Sequence, residues 1–149
     1  MGLRRDGREA AVQYLFFADI NSGEGMGTVE EFWHLRGAEH EVPKKGVRDF
    51  AFKLIEGVLQ NREQLDQIIS QYSQNYHLQR ISAVDRNILR LALYEMTFDP
   101  DIPYAVCINE AIEIAKKFGT DESGRFVNGI LDRAKKEMPQ KAPGSKRKK

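Results

Sequence analysis

Between residues 47 and 58 the apolar side chains stand at Val47, Phe50, Ala51, Leu54, Ile55 and Val58. The spacing i, i+3, i+4, i+7, i+8, i+11 lays all six along one face of three α-helical turns. On a strand they would divide between two faces and bury neither. The same period recurs through most of the 149-residue chain, and no stretch alternates apolar and polar residues over a useful strand length. The pattern predicts an all-α fold. A first helix spans residues 3–20, with Val12, Leu15 and Phe16 on one face, and a short amphipathic piece covers residues 28–35 with Phe32 and Trp33. Leu65, Ile68, Ile69 and Tyr72 mark a further helix after the one at 47–58. Residues 81–98 are apolar on several sides (Val84, Ile88, Leu89, Leu91, Ala92, Leu93, Met96), as expected of a central helix. Two more helices carry inner stripes at Tyr104, Ile108, Ala111, Ile112, Ala115 and Phe118, and at Phe126, Val127, Ile130, Leu131 and Ala134.

The punctuation agrees with about seven helices. Three glycines between Asn21 and Thr28 break the chain after the first helix. Ser82 followed three residues later by Asp85 resembles a capping box whose acidic member is one methylene short. Pro103 suits a helix start, and Gly119 a helix end. Thr120 is placed to cap the last helix, with Asp121 and Glu122 in its first turn, and Glu113 and Lys117 form an i, i+4 pair on the wet side. The polar stretch 73–80 divides a single all-helical domain, residues 1–138, into packed three-helix-like halves at about 1–79 and 80–138. Residues 139–149, too polar to fold, form a disordered basic tail.

The net charge of +1 conceals a split. Residues 135–149 hold seven basic residues against Glu137 alone, whereas residues 1–134 hold 16 basic and 21 acidic ones. A polyanion would therefore be held by local basic patches, not by the whole surface. No apolar run approaches the roughly 20 residues needed to cross a bilayer, and the N-terminus lacks the cleavage site of a signal peptide. A single cysteine, Cys107, forbids an internal disulfide and fits a cytoplasmic protein. It lies within the apolar stripe, as a packed thiol does. His34, His40 and His77 lack metal-ligand spacing, and Gly23, Gly25 and Gly27 do not make a dinucleotide loop. No catalytic, metal or cofactor site is expected.

Two basic constellations remain. Arg4, Arg5 and Arg8 open the first helix, where three guanidiniums can meet successive phosphates or stack on bases. Their charge opposes the helix dipole, so helix stability does not call for them. Asp6 and Glu9 partly neutralise the patch, and a merely solvated basic start is the competing reading. Arg125 and Phe126 stand side by side near a helix N-terminus, which suits an unstacked base and its phosphate. Equally, Phe126 belongs to the inner stripe and Arg125 to the wet face.

REAAVQYLF near the start, VDRNILRLALYEM, IPYAVCINEAIEIAKKFG and RFVNGILDRA together resemble the bacterial NusB family of transcription antitermination factors. The resemblance covers nearly the whole chain except the region 21–46 and the tail. It implies an all-helical fold of two halves and a non-enzymatic role. Family members bind single-stranded boxA RNA of nascent ribosomal RNA leaders together with NusE, a small-subunit ribosomal protein. Through other Nus factors they act on RNA polymerase, and some form homodimers.

Carried over residue by residue, the resemblance assigns RNA binding to Arg4, Arg5, Arg8, Glu122, Arg125 and Phe126, with Glu122 tuning affinity by repulsion. It assigns the NusE interface to Phe16 and Asp85, although Phe16 also suits a core face and Asp85 also suits a cap. The arginines of the first helix and the Arg125–Phe126 corner are expected to line one groove. The rival readings are a protein-binding or homodimeric scaffold, and an RNA-targeting module related to that of ribosomal RNA cytosine methyltransferases.

Overall fold

The computed structural model describes residues 2–21, 32, 45–74 and 77–141. Among them are six α-helices: α1 (Gly2–Ile20), α2 (Lys45–Gln60), α3 (Arg62–Tyr72), α4 (Ala83–Phe98), α5 (Tyr104–Phe118) and α6 (Ser123–Lys136), with a 3-10 turn at Leu78–Arg80 before α4. No strand occurs among the described residues. The expected short helix at 28–35 lies outside them except for Phe32, which is buried against Tyr14, Ala10 and Ala51.

α4 is the axis of the fold, and each of the other five α-helices touches it. Its Ile88, Leu89, Leu91, Ala92, Leu93 and Met96 enter one contiguous core with Leu15, Leu54, Ile55, Val58, Leu65, Ile69, Ile114, Val127, Ile130 and Leu131. The predicted all-round apolar character thus translates into a helix surrounded on every side. α1 runs antiparallel to it, with Arg8 opposite Glu95 near one end and Asp19 opposite Arg86 near the other.

Two glycines set the spacing of this frame. A Cβ on Gly7 would stand 2.6 Å from the ring of Phe50. A Cβ on Gly57 would stand 2.2 Å from the ring of Tyr94. α1 and α2, and α2 and α4, approach as closely as they do because those positions carry no side chain.

Local signals are met in part. Ser82 caps α4, its hydroxyl accepting the Asp85 amide at 3.1 Å. The reciprocal half of the box is not made, since Asp85 Oδ1 is buried without a hydrogen-bond partner. Pro103 is the N-cap of α5, and Gly119 ends it. α6 begins at Ser123, three residues after Thr120, so Asp121 and Glu122 precede its first turn. The reason is that Ser123 Oγ turns back to accept the Thr120 amide at 2.9 Å, holding the α5–α6 corner as a turn. Lys117 reaches across to Glu9 of α1 at 2.9 Å and leaves Glu113 to Lys116.

Candidate nucleic-acid interface

The three arginines of α1 leave the helix in three different environments. Arg4 is exposed, with its guanidinium 5.0 Å from the centre of the Phe50 ring. Arg5 makes a two-pronged pair with Glu110 of α5, at 2.5 and 2.8 Å. That bond holds the Glu110 carboxyl below the usual carboxylate range. Arg8 is not at the surface at all. Its side chain is 5% exposed and grips the equally buried Glu95 of α4 at 2.8 and 3.1 Å, with Glu110 3.6 Å away. The helical spacing of Arg4 and Arg8 correctly placed them one turn apart, but position 8 faces the bundle. A buried charge must be paired, and Glu95 is the partner. Arg8 therefore fixes the start of α1 against α4, and the cations it leaves near solvent there are Arg4 and, at its edge, Arg5.

At the opposite end of α4 the 3-10 turn, the start of α4 and the start of α6 enclose a groove of about 380 Å³. Arg80, Ile81, Ser82, Asp85, Glu122, Arg125 and Phe126 line it. Phe126 is half-buried and packs on the core, which fixes its ring at the groove wall. Arg125 and Glu122 are well exposed and pair at 3.2 Å, a contact that water weakens to little net energy. Arg125 also borders a neighbouring hollow between α5 and α6, with Lys116, Gly119, Thr120 and Asn128.

The expected single groove divides in two. Asp85, assigned by resemblance to the protein interface, lines the groove with Phe126. None of Arg4, Arg5 and Arg8 lines it. They sit near the Glu95 end of α4, ten residues or about 15 Å of helix from Asp85. Phe16 is half-buried on α1 with its ring 5.3 Å from that of Phe17. Phe17 and Ile20 are 42% and 53% exposed, so the end of α1 offers apolar surface to a partner.

A second buried charge cluster, invisible to the helical period, holds that end of α1. Asp19 accepts from Arg86 at 2.8 Å, Asn87 at 3.0 Å and Arg90 at 3.1 Å. Arg90, 2% exposed, also pairs with Asp66 of α3 at 2.7 and 3.0 Å. Burial pushes the Asp19 carboxyl up, but Arg86 and Arg90 outweigh it and hold the group below its ordinary value. Arg90 and Glu95 had a readable signal: charged residues on a helix that is apolar all round must be buried and must have partners.

Cys107 is buried, and removal from water pushes its thiol up to about 12. A thiol reagent at pH 8 is expected to leave the folded protein unmodified and to label it only in denaturant; rapid labelling without denaturant would contradict this burial. Among the described residues no group of three His, Cys, Asp or Glu side chains could hold a metal ion, and no helix is long and apolar enough to cross a membrane.

The NusB family model matches residues 5–136. The chain belongs to the NusB family. It is 46% identical over 132 residues to the transcription antitermination protein NusB of Desulfatibacillum aliphaticivorans, covering 89% of each chain. It is 45% identical to the NusB of Geobacter sulfurreducens, covering 95% of this chain and 99% of that one. Among solved structures it resembles T. maritima NusB, with 41% identity, a TM-score of 0.77 and coverage of 98% and 97%. It also resembles a chain in a complex of the antitermination factors NusB and NusE with double-stranded RNA, with 28% identity, a TM-score of 0.78 and coverage of 93% and 99%.

Proposed function

We propose that this chain is a non-enzymatic RNA-binding adaptor of transcription antitermination in ribosomal RNA operons, acting in the cytoplasm on single-stranded boxA-type RNA together with NusE. The observation that carries the reading is the groove at the start of α4 and α6, where an aromatic wall, Phe126, stands beside the cations Arg125 and Arg80. An aromatic face accepts any unstacked base, and adjoining guanidiniums take its phosphates. Family membership and the likeness to a chain solved with NusE and RNA support it.

Arg4 and Arg5 extend the basic surface at the far end of α4, with Arg8 as the residue that positions them. Glu122, at the groove beside Arg125, restrains affinity for phosphate by repulsion. Phe16, with the exposed Phe17 and Ile20 beside it, presents the face for NusE, and Asp85 joins that face to the groove.

The test is fluorescence anisotropy of a labelled boxA-type RNA, titrated with the protein alone and with NusE present. Binding should tighten with NusE, and by linkage RNA should tighten NusE equally. Phe126→Ala should weaken RNA binding roughly 5- to 150-fold, corresponding to about 1–3 kcal/mol for a stacked base. Because Phe126 also touches the core, unfolding is measured in parallel. Unaltered RNA affinity in the folded variant removes Phe126 from the site.

A further inference from the structure

A glutamate three residues after Ser82 would reach back to the Ser82 amide and close the capping box, but aspartate stops one methylene short. Asp85 is nevertheless only 9% exposed. Its carboxylate is held inside the protein, and Oδ1 has no hydrogen-bond partner. The cap itself uses only the Asp85 backbone amide, which donates to Ser82 Oγ. Arg80 and Arg125 line the same groove, and neither donates to Oδ1. A buried acceptor without a donor costs folding free energy, and nothing in the fold offsets it here.

The walls of the groove restrict what the missing donor can be. Ile81 and the Phe126 ring are apolar, while Asp85 and Glu122 repel phosphate. The interior therefore suits a base, and the phosphates fall to the exposed Arg80 and Arg125. A base stacked on Phe126 turns its edge, not its face, to the remaining walls. A carboxylate only accepts hydrogen bonds, and it does so through two oxygens side by side. Of the four RNA bases, guanine alone has two neighbouring donors on its pairing edge, N1–H and the 2-amino group. Adenine and cytosine set one amino group beside a ring nitrogen that accepts. Uracil flanks its single N–H with two carbonyl oxygens. Rotation about the Asp85 Cβ–Cγ bond, a soft torsion, brings Oδ1 round to a donor in the groove.

We propose that Asp85 is a base-reading residue, whose carboxylate accepts hydrogen bonds from N1–H and the 2-amino group of an unpaired guanine stacked on Phe126. The inference rests on the RNA-binding reading above and adds to it the base that the groove selects. Guanine relieves the unanswered acceptor, and any other base leaves at least part of it unanswered, which is the source of the discrimination.

The test uses the full-length chain and a labelled single-stranded boxA-type RNA in which each guanosine in turn is replaced by inosine. Inosine lacks only the 2-amino group. One of these RNAs should bind the parent chain roughly fivefold or more weakly. Asp85→Asn keeps the shape but sets an amide N–H against one of the two guanine donors, and Asp85→Ala removes the acceptor. Both keep the Ser82 cap, which runs to the backbone, and thermal unfolding reports the state of each. In either folded variant the guanosine and inosine RNAs should bind alike, and both more weakly than guanosine RNA binds the parent. Equal binding of every inosine RNA by the parent chain would overturn the proposal without recourse to a variant. A difference between guanosine and inosine as large in the folded variants as in the parent would overturn it too. Parental RNA affinity together with weakened NusE binding would assign Asp85 to the protein partner instead. These three outcomes leave the groove reading standing, whereas absence of RNA binding by the parent chain would overturn that reading and this inference with it.

Discussion

Replacing Arg8 with alanine is expected to destabilise the protein by about 3–5 kcal/mol, the usual cost of leaving one member of a buried ion pair without its partner. The stranded group is Glu95, whose side chain is 2% exposed and has the Arg8 guanidinium at 2.8 Å. Domains of ordinary stability have only about 5–15 kcal/mol to lose, so the urea midpoint should drop steeply. RNA binding should fall with it, because the start of α1 is then no longer held against α4. The double variant Arg8→Met, Glu95→Leu separates positioning from contact. Exchanging the pair for apolar side chains of similar length removes both buried charges and should restore most of the stability. If Arg8 acts by placing Arg4 and Arg5, RNA affinity returns with it. A double variant that is stable but still deficient in RNA binding would assign Arg8 to the phosphate directly. An unchanged urea midpoint in Arg8→Ala would mean that the pair contributes nothing to folding.

Arg8 also marks where the sequence is and is not legible. Helical period gives the face of a residue relative to its own helix, and on that basis α2, the central α4 and the inner stripes of α5 and α6 were readable. Short-range chemistry was readable too: Ser82 caps α4, and the shortened Asp85 leaves the box half closed. What a period cannot supply is the neighbour. Lys117 has Glu113 four residues before it, yet it pairs with Glu9, 108 positions away, because α1 lies across α5 there. The same limit applies to the arginines of α1. They share one basic run, but the bundle buries one, pairs one with Glu110 and leaves one over Phe50. Asp85 and Phe126 are 41 positions apart and meet in one groove, which only the crossing of α4 and α6 determines. The family resemblance singled out Asp85, Glu122, Arg125 and Phe126, and the structure places these four around one groove.

The other cluster that spacing does not reveal leads to the second large expected effect. Asp19→Asn should destabilise the protein at pH 7 by about 3 kcal/mol. The carboxylate answers Arg86 at 2.8 Å and Arg90 at 3.1 Å, and its loss leaves the 3%-exposed Arg90 side chain with Asp66 as its one carboxylate partner, beside the neutral Asn87 oxygen at 3.0 Å. The dependence on pH has a definite sign. Arg86 and Arg90 depress the folded-state pKa of Asp19 below the ordinary 3.8. The stabilisation it provides is therefore complete above the unfolded-state value and is lost as pH falls through the folded-state value. The gap in stability between parent and variant should be constant from pH 8 to about pH 5 and should close below about pH 4. Glu110 is depressed in the same sense by Arg5, so the variant keeps part of the acid sensitivity of the parent. Urea unfolding of both chains at pH 7, 5 and 3 reads the gap directly. If the gap stays as wide at pH 3 as at pH 7, packing and not charge is what Asp19 contributes. A gap that closes in acid makes the charge on Asp19 the fastening between the end of α1 and α4, one turn from Phe16 and next to the exposed Ile20. Under that outcome, affinity for a partner that docks on this end of α1 should weaken in acid together with the fold, and at pH 7 the Asp19→Asn chain should already show the weakening.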